Sequence, residues 1–215
     1  MCVKVTDTAF DPGCRRCERL SLFLQDVSEQ YPDYFARPVP AFGDPDAQLL
    51  IVGLAPGMHG ANRTGRPFTG DHAGILLYRT LYECGFSNQP ESLSADDALQ
   101  LKNCRITNAV KCLPPQNKPM TQEIKACNDF LHTELSAMPS GSVVLALGKI
   151  AHDAVVRSLG LPLSRHRFAH AAEHTPGPFV LLDSYHCSRY NTQTRRLTDD
   201  MFRAVFQRAR TLLGS

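Results

Sequence analysis

The sequence predicts an α/β fold, a three-layer α/β/α sandwich around a central parallel four-stranded sheet. Four short apolar runs, at residues 48–53, 105–110, 142–147 and 179–182, have the composition of buried strands. Helical patterns lie between them, near residues 73–84, 121–137 and 149–159. Alternation of this kind is typical of a parallel sheet with helices on both faces.

Two further helices flank these runs. Residues 14–30 carry apolar side chains at helical spacing, which predicts a helix that begins near a cysteine pair and ends before Tyr31. Residues 199–213 have the pattern of a terminal amphipathic helix. The strand-to-helix order places the carboxyl ends of all four strands at one edge, where open α/β sheets bind ligands.

The bulk properties bound the class of protein. A chain of 215 residues that is 43% hydrophobic suits one domain, so residues 1–215 are expected to form a single unit. The net charge of +2 neither demands nor excludes a nucleic-acid partner. Without a long apolar segment or a signal peptide in the first ten residues, we expect a cytoplasmic, bacterial-type intracellular protein with no membrane partner, and a monomer.

The loop at residues 53–71, GLAPGMHGANRTGRPFTGD, is the most unusual segment. It holds five glycines, two arginines and a histidine between a strand and a helix. Glycines let backbone N–H groups approach a ligand, whereas an ordinary connection is seldom so long. The loop matches neither a phosphate-binding loop nor a dinucleotide-binding turn, which weakens the case for a nucleotide cofactor.

The cysteines indicate a metal site. Eight cysteines in an intracellular chain are kept reduced, so a disulfide framework is not expected. Cys14 and Cys17 form a C-x2-C pair, predicted to lie on one helical turn, and Cys112 and Cys127 follow later. Four thiolates can hold a [4Fe–4S] cluster or zinc, and the spacing leaves both open. Buried apolar cysteines are the alternative reading.

Three segments resemble the iron–sulfur-containing family 5 of the uracil-DNA glycosylase superfamily. They are the loop at residues 53–71, TNAVKCLPP at residues 107–115, which also resembles family 4, and DSYHCSRYNTQTRRLT at residues 183–198. The resemblance implies a monofunctional DNA glycosylase in base-excision repair, associated with the nucleoid. Such an enzyme flips and hydrolytically removes uracil, and also hypoxanthine or xanthine, and leaves an abasic site. It also implies a [4Fe–4S] cluster on Cys14, Cys17, Cys112 and Cys127, with Cys2, Cys84, Cys104 and Cys187 free.

Cleavage of an N-glycosidic bond requires donors for the departing base and negative charge near the sugar, with the base flipped out of the duplex. By the resemblance, Phe68 stacks on the base, Asn108 reads its edge and His186 donates to its oxygen. Each side chain also has an ordinary structural interpretation, as core packing, a satisfied amide or a structural histidine. The remaining predicted substrate-binding positions are Gly53, Leu54, Ala55 and Gly57.

The short stretch at residues 54–57 has no polar side chain. The resemblance to family 5 implies that an Asp farther along the loop acts instead, and Asp71 is the matching residue, which would activate water or stabilise the cationic sugar. The alternative is that Asp71 only caps the following helix. The small Gly57–Met58 corner implies a roomy pocket. No lysine stands out as a Schiff-base nucleophile, although Lys111 is a remaining candidate, so we expect no strand cleavage.

DNA contacts are predicted mainly after His186. Arg189 or Tyr190 would wedge into the gap left by the flipped base, and basic or polar side chains would meet phosphates, namely Ser188, Arg195, Arg196, Arg63 and Arg66. Two positions depart from the family pattern, with Cys187 in place of Pro and Arg195 in place of Gly. Residues 165–174 contain three histidines and two arginines without metal spacing, which predicts a basic loop. A redox protein and a non-catalytic damage-binding module are the alternatives from other classes.

Overall fold

The structure is a computed structural model that describes residues 10–214. Cys2 and most of the segment in which no signal peptide is expected lie outside the described residues. Within residues 10–214, no helix combines the length and the hydropathy that crossing a bilayer requires.

The described residues form one mixed sheet of six strands, in the order β1-β3-β2-β4-β6-β5. Its four central strands run parallel: β2 (Leu49–Gly53), β3 (Cys104–Asn108), β4 (Val143–Leu147) and β6 (Val180–Ser184). Two strands of two residues pair antiparallel at the edges, β1 (Phe42–Gly43) on β3 and β5 (Glu173–His174) on β6.

The central parallel sheet is confirmed, and the edges correct the prediction of four strands. Two-residue strands carry no periodic pattern, so neither edge strand could be read from the sequence. The predicted strand at residues 105–110 ends at Asn108. Ala109 and Val110 remain buried beyond its end, which explains why the apolar run is longer than the strand.

In the described part of the chain, residues 10–214, seven α-helices accompany the sheet: α1 (Glu18–Gln30), α2 (Ala61–Thr64), α3 (His72–Glu83), α4 (Thr121–Ser136), α5 (Lys149–Ser158), α6 (Arg189–Gln193) and α7 (Asp199–Leu212). The short helices α2 and α6 lie in segments that the sequence analysis treated as loops. Helix α1 begins only at Glu18, with Cys17 at its N-cap. The prediction that Cys14 and Cys17 share a helical turn is therefore wrong, because Cys14 precedes the helix.

The strands are buried on both faces and divide the core in two. Leu50 and Val52 of β2 pack into a cluster with α1, α4 and α5, while Leu49 and Ile51 pack into a second cluster with α3 and α7. Alternate residues of a strand point to opposite faces, so one strand serves both clusters. This arrangement confirms the predicted three layers.

Candidate active site

A cavity of about 610 Å³ opens at the carboxyl ends of the parallel strands. Its walls come from the loop after β2, the end of β3, the β4–α5 junction and the segment after β6. The lining includes Leu54, Ala55, Gly57, Phe68, Asp71, Asn108, His186, Ser188, Arg189 and Arg196. The structure thus brings together most of the predicted catalytic and substrate-binding residues.

Phe68 forms an aromatic wall of this cavity in a constrained backbone conformation. Its φ angle is 57°, which is uncommon for a residue with a bulky side chain. The ring stacks at 6.0 Å and 29° on the ring of His186. A Cβ atom at Gly74 would lie 1.8 Å from the carbonyl oxygen of Phe68, so glycine at that position permits the close approach of α3.

Asn108 is the last residue of β3 and presents its amide at the cavity. The residue is 2% exposed, and its Oδ1 atom is buried with no hydrogen-bond partner among the described residues. A Cβ atom at Gly53 would lie 2.4 Å from that Oδ1 and 2.7 Å from the Phe68 ring. Gly53 therefore lies behind the pocket and leaves room for both side chains. A buried acceptor without a partner points to a ligand, because burying it unsatisfied costs about 1–3 kcal/mol.

His186 lies two residues beyond β6. Its Nδ1 atom is buried and has no partner among residues 10–214. Burial disfavours the imidazolium and lowers the pKa of His186 to about 4. The ring is therefore neutral at physiological pH and can donate one N–H without carrying a full charge. The amide of Asn191 fixes the backbone here by donating to the His186 carbonyl at 2.8 Å.

Asp71 occupies the N-cap position of α3, yet its side chain makes no capping bond to that helix. Its carboxylate instead turns toward the preceding helix, where the Ala61 N–H donates to it at 3.4 Å. Cβ atoms at Gly57 and Gly60 would lie 2.8 and 1.9 Å from the carboxyl group of Asp71. The absence of side chains at both glycines therefore leaves room for this group. Burial raises the pKa of Asp71, which suits a general base near neutral pH better than an exposed carboxylate.

Arg195 and Cys187 are the two positions at which the sequence departs from the pattern of the family that it resembles. Arg195 has a φ of 57°, the left-handed conformation that glycine adopts readily. Cys187 is 0% exposed and packs into the core cluster of α3 and α7. His186, directly before it, still lines the cavity.

Three of the predicted DNA-binding residues line the cavity, and all of them except Arg66 have solvent-accessible side chains. Arg189 and Arg196 line the cavity, and the guanidinium of Arg196 lies 4.6 Å from the centre of the Tyr185 ring. Ser188 caps α6 by accepting from the Asn191 N–H. Tyr190 is 70% exposed, and Arg63 and Arg195 are also exposed.

Arg66 is the exception, and the structure corrects its predicted role. The residue is 5% exposed, and its guanidinium lies 2.6 Å from Asp97 and 2.8 Å from the Ser92 hydroxyl. It also stacks over the Phe42 ring at 4.8 Å. Arg66 therefore anchors the loop after α3 and is not available to a phosphate.

The four predicted metal-ligating cysteines line one small cavity on the α1 and α4 side of the sheet. Cys14 and Cys17 come from the segment before α1, Cys112 from the segment after β3, and Cys127 from α4. The backbone N–H of Lys111 donates to the Cys127 sulfur at 3.3 Å. Cys84 and Cys104 are 4% and 0% exposed in the opposite core cluster, as expected for apolar cysteines.

The two lysines near the site are both paired with carboxylates. Lys111 is 1% exposed, and its Nζ atom lies 2.9 and 3.0 Å from the two carboxylate oxygens of Glu134, which removes it as a Schiff-base candidate. Lys149 lines the cavity, where its Nζ lies 2.6 Å from Asp153.

Sequence reasoning missed several lining residues, namely Asn117, Lys149, Ile150, Phe168, Tyr185 and Asn191. Phe168 belongs to the segment predicted as a basic loop. That prediction overlooked that two of the three histidines turn inward, since His174 bonds the buried Asp183 and His170 accepts from the Tyr185 N–H. The spacing of this segment carries no signal for these contacts.

Comparison with known proteins gives the family. The model of the uracil DNA glycosylase superfamily matches residues 40–210. The chain is 49% identical over 208 residues to a type-5 uracil-DNA glycosylase of Thermus thermophilus, covering 94% of each chain. It is 40% identical over 201 residues to a type-5 uracil-DNA glycosylase of Pyrobaculum aerophilum, covering 92% of this chain and 88% of the relative. A type-4 uracil-DNA glycosylase of Archaeoglobus fulgidus is 32% identical over 140 residues, 65% of this chain and 56% of the relative. This chain is similar to the type-5 enzymes over nearly its whole length, and the family model matches most of it. These two findings show that the chain belongs to the uracil-DNA glycosylase superfamily.

Proposed function

We propose that this protein is a monofunctional DNA glycosylase that flips uracil out of DNA and hydrolyses its N-glycosidic bond. One observation carries the proposal. Two buried polar atoms without partners, Asn108 Oδ1 and His186 Nδ1, belong to residues that line the same cavity as the Asp71 carboxylate. A flipped pyrimidine supplies the hydrogen-bonding groups that these atoms lack.

The base is held by stacking and by an amide. Phe68 covers one face of the flipped base, and Asn108 reads its Watson–Crick edge. The Oδ1 atom of Asn108 can accept the N3–H of uracil while its amide N–H donates to a carbonyl oxygen of the base. Gly53 supports this arrangement, because any side chain there would displace both Asn108 and Phe68.

Bond cleavage places negative charge on the base and positive charge on the sugar. Neutral His186 donates an N–H to the base oxygen where charge accumulates, an oxyanion-type stabilisation. Asp71 as a carboxylate orients or deprotonates the attacking water and stabilises the cationic sugar. The proton of the water passes to Asp71, and the base leaves as an anion. No covalent enzyme intermediate is needed, and the product is an abasic site.

The cavity also admits larger deaminated bases. Gly57 and Ala55 line it without bulky side chains, and its volume of about 610 Å³ leaves space beyond a pyrimidine. We therefore include hypoxanthine and xanthine among the substrates. Since Lys149 is paired with Asp153 and Lys111 is buried, strand cleavage through a lysine Schiff base is not expected.

Cys14, Cys17, Cys112 and Cys127 would hold a [4Fe–4S] cluster with a structural role, joining the start of α1 to the segment after β3 and to α4. The donor set of four thiols around one cavity fits such a group. Tetrahedral zinc at a Zn–S distance of about 2.3 Å would hold sulfurs about 3.8 Å apart. Among residues 10–214, no three of these sulfurs lie within 4.8 Å of one another, which favours the larger cluster over zinc.

DNA would lie across the cavity mouth. Arg189, Arg195, Arg196 and Arg63 are placed to meet phosphates, and the exposed ring of Tyr190 is suited to fill the gap left by the flipped base. Two core clusters on the two faces of one sheet support a single domain. We expect this domain to act as a monomer. An enzyme of this kind acts in the cytoplasm on the nucleoid.

The test is incubation of the purified protein with labelled duplexes that contain uracil, hypoxanthine or no damage, followed by alkali. Cleavage at the damaged position only after alkali supports a monofunctional glycosylase. Cleavage without alkali, lost in Lys149→Ala, would contradict the monofunctional assignment. Specific binding to damaged duplex without turnover would contradict the enzymatic assignment and indicate a non-catalytic damage-binding module. Absorbance near 400 nm in anaerobically purified protein tests the cluster against zinc.

A further inference from the structure

Phe168 is a second aromatic side chain in the wall of the cavity, and it comes from outside the family motifs. Its ring lies 6.1 Å from the ring of Tyr185, which also lines the cavity, and 5.7 Å from the ring of His152. The segment that carries it, residues 166–172, has no regular secondary structure. Its position at the cavity therefore depends on contacts of its side chains and backbone with the neighbouring elements.

Those contacts centre on a buried group of three residues. His152 of α5 and Asp183 of β6 are both 0% exposed, and His152 Nδ1 lies 2.8 Å from Asp183 Oδ1. His174 of β5 joins them through Nε2, 3.2 Å from Asp183 Oδ2. Asp183 Oδ2 also accepts from the Ala169 N–H at 3.4 Å, one residue after Phe168.

The hydrogen bonds fix the protons of His152. Its Nε2 lies 2.8 Å from the carbonyl oxygen of His166, which can only accept, so Nε2 carries a proton. Its Nδ1 faces an oxygen of Asp183, whose other oxygen already has two donors near it. An ionised carboxylate accepts at both oxygens, which matches donors at Oδ2 and the ring at Oδ1. His152 is then an imidazolium that donates from both nitrogens, to the segment on one side and to β6 on the other.

The surrounding charges agree with this state. Burial disfavours the charged ring of His152, but the hydrogen bond and charge of Asp183 outweigh it and raise the pKa of His152. The titratable groups around the ring are Asp183 on β6, His174 on β5, His166 in the segment and Asp153 on its own helix. His170 behaves oppositely, since its Nδ1 accepts the Tyr185 N–H at 3.1 Å and burial lowers its pKa.

We propose that Phe168 is a specificity-determining wall of the base pocket, and that the buried ion pair of His152 and Asp183, with His174, positions it. Backbone bonds complete the attachment, because Ala171 N–H donates to the Asp183 carbonyl and Asp183 N–H donates to the Ala172 carbonyl, both at 2.9 Å. Asp183 stands three residues before His186, so the same side chain ties the wall to the catalytic strand. The specificity part rests on the proposed glycosylase function.

The experiment compares Phe168→Ala and Asp183→Asn with His132→Ala. His132 is a matched control, because its ring also bonds a backbone carbonyl, that of Ser158 at 2.8 Å, away from the cavity. The ratio of kcat/KM for hypoxanthine to that for uracil is measured on duplex DNA. We expect the ratio to rise about tenfold in Phe168→Ala and in Asp183→Asn, because a missing or displaced wall admits the larger base. His132→Ala keeps the wild-type ratio.

Two NMR readouts do not depend on activity. Ring nitrogen shifts of His152 in the wild type should show a doubly protonated ring at neutral pH, and a neutral ring in Asp183→Asn. The nuclear Overhauser contact between the rings of Phe168 and Tyr185 should disappear in Asp183→Asn and persist in His132→Ala. If Asp183→Asn does not fold, His174→Gln takes its place, since that side chain is 12% exposed.

Several results would overturn the proposal. A ratio that moves in Phe168→Ala but not in Asp183→Asn removes the positioning role, as does a neutral His152 ring in the wild type. A stoichiometric divalent ion on His152, His174 and Asp183 would replace the ion pair with a metal site. A wild-type protein inactive on both bases contradicts the proposed function instead. In that case the contact between the rings of Phe168 and Tyr185 tests the positioning role. Loss of this contact in Asp183→Asn supports the role, and persistence of the contact overturns it.

Discussion

The carboxylate of Asp71 accepts a 3.4 Å hydrogen bond from the backbone N–H of Ala61, although Asp71 stands at the first turn of a different helix. The Asp71 side chain thus does not cap α3, although the residue stands at the N-cap position of that helix. It is held instead against α2, in a space that Gly57 and Gly60 leave open. Asp71 lines the cavity and makes no hydrogen bond to the helix that it could cap. This arrangement is the clearest indication in this chain of a catalytic carboxylate.

Asp71→Asn is expected to lower kcat by about 10²–10⁴-fold, because the amide cannot act as a base. Binding to uracil-containing duplex should change little. Since burial raises the pKa of Asp71, the wild-type activity should fall on the acidic side as the carboxylate takes up a proton, and this limb should vanish in the variant. Single-turnover rates across pH check both points. Asp33→Asn, at an exposed position, is the control, and equal rates in both variants would rule out the assigned role.

Stability should decrease as the pH falls from 7 to 4, partly because of His186. In the unfolded chain this histidine takes up a proton below about pH 6.5, while in the fold it stays neutral to about pH 4. The unfolded state therefore binds the additional proton, and the free energy of unfolding drops by roughly 3 kcal/mol over this window. Urea unfolding of the wild type and His186→Asn measures it. A variant that loses as much stability on acidification as the wild type would contradict this account.

Gly53→Ala should abolish activity while the sheet stays intact. The new Cβ would lie 2.4 Å from Asn108 Oδ1 and 2.7 Å from the Phe68 ring, so both base-binding side chains must move. We expect at least about a 10²-fold loss of kcat/KM, the scale that displacement by an ångström causes at active sites. Gly177→Ala is the matched control, because nothing lies within 4 Å of its added Cβ. Wild-type activity in Gly53→Ala would show that Asn108 and Phe68 are not held as described.

Cys112→Ser should lose iron and absorbance near 400 nm and lower the melting temperature, because binding of a structural metal group contributes directly to folding free energy. Cys84→Ala, a substitution at a buried cysteine of the other cluster, should keep the iron content of the wild type. Iron analysis and anaerobic spectra distinguish the two variants. Equal iron in both would remove Cys112 from the ligand set.

Arg66→Ala and Arg63→Ala should separate stability from DNA binding. Removing Arg66 leaves Asp97 and Ser92 without their buried partner, which costs about 3–5 kcal/mol. Removing the exposed Arg63 should change stability by no more than about 0.5 kcal/mol and reduce the slope of log K against log salt by about 1. Denaturant titration and salt-dependent binding test these values. A stable Arg66→Ala protein with a reduced salt slope would reverse the two roles.

The parallel sheet and the position of the site could be predicted because short, continuous segments of the sequence carry the pattern of both. An apolar run such as residues 142–147 has the pattern of one buried strand, and its carboxyl end marks the ligand edge. The edge strands, α2 and α6 are too short to show a period. Arg66 was misjudged because its partners Ser92 and Asp97 lie 26 and 31 residues away, a pairing that only the fold reveals. The cavity position of Phe168 and the pairing of Asp183 with His152 and His174 were not foreseen for the same reason.

The left-handed backbone at Arg195 bears on how related chains are recognised. This turn requires a left-handed backbone conformation at residue 195. An arginine adopts this conformation at a modest cost in free energy, on the order of 1 kcal/mol. A search pattern that insists on glycine there would discard chains whose turn has the same shape.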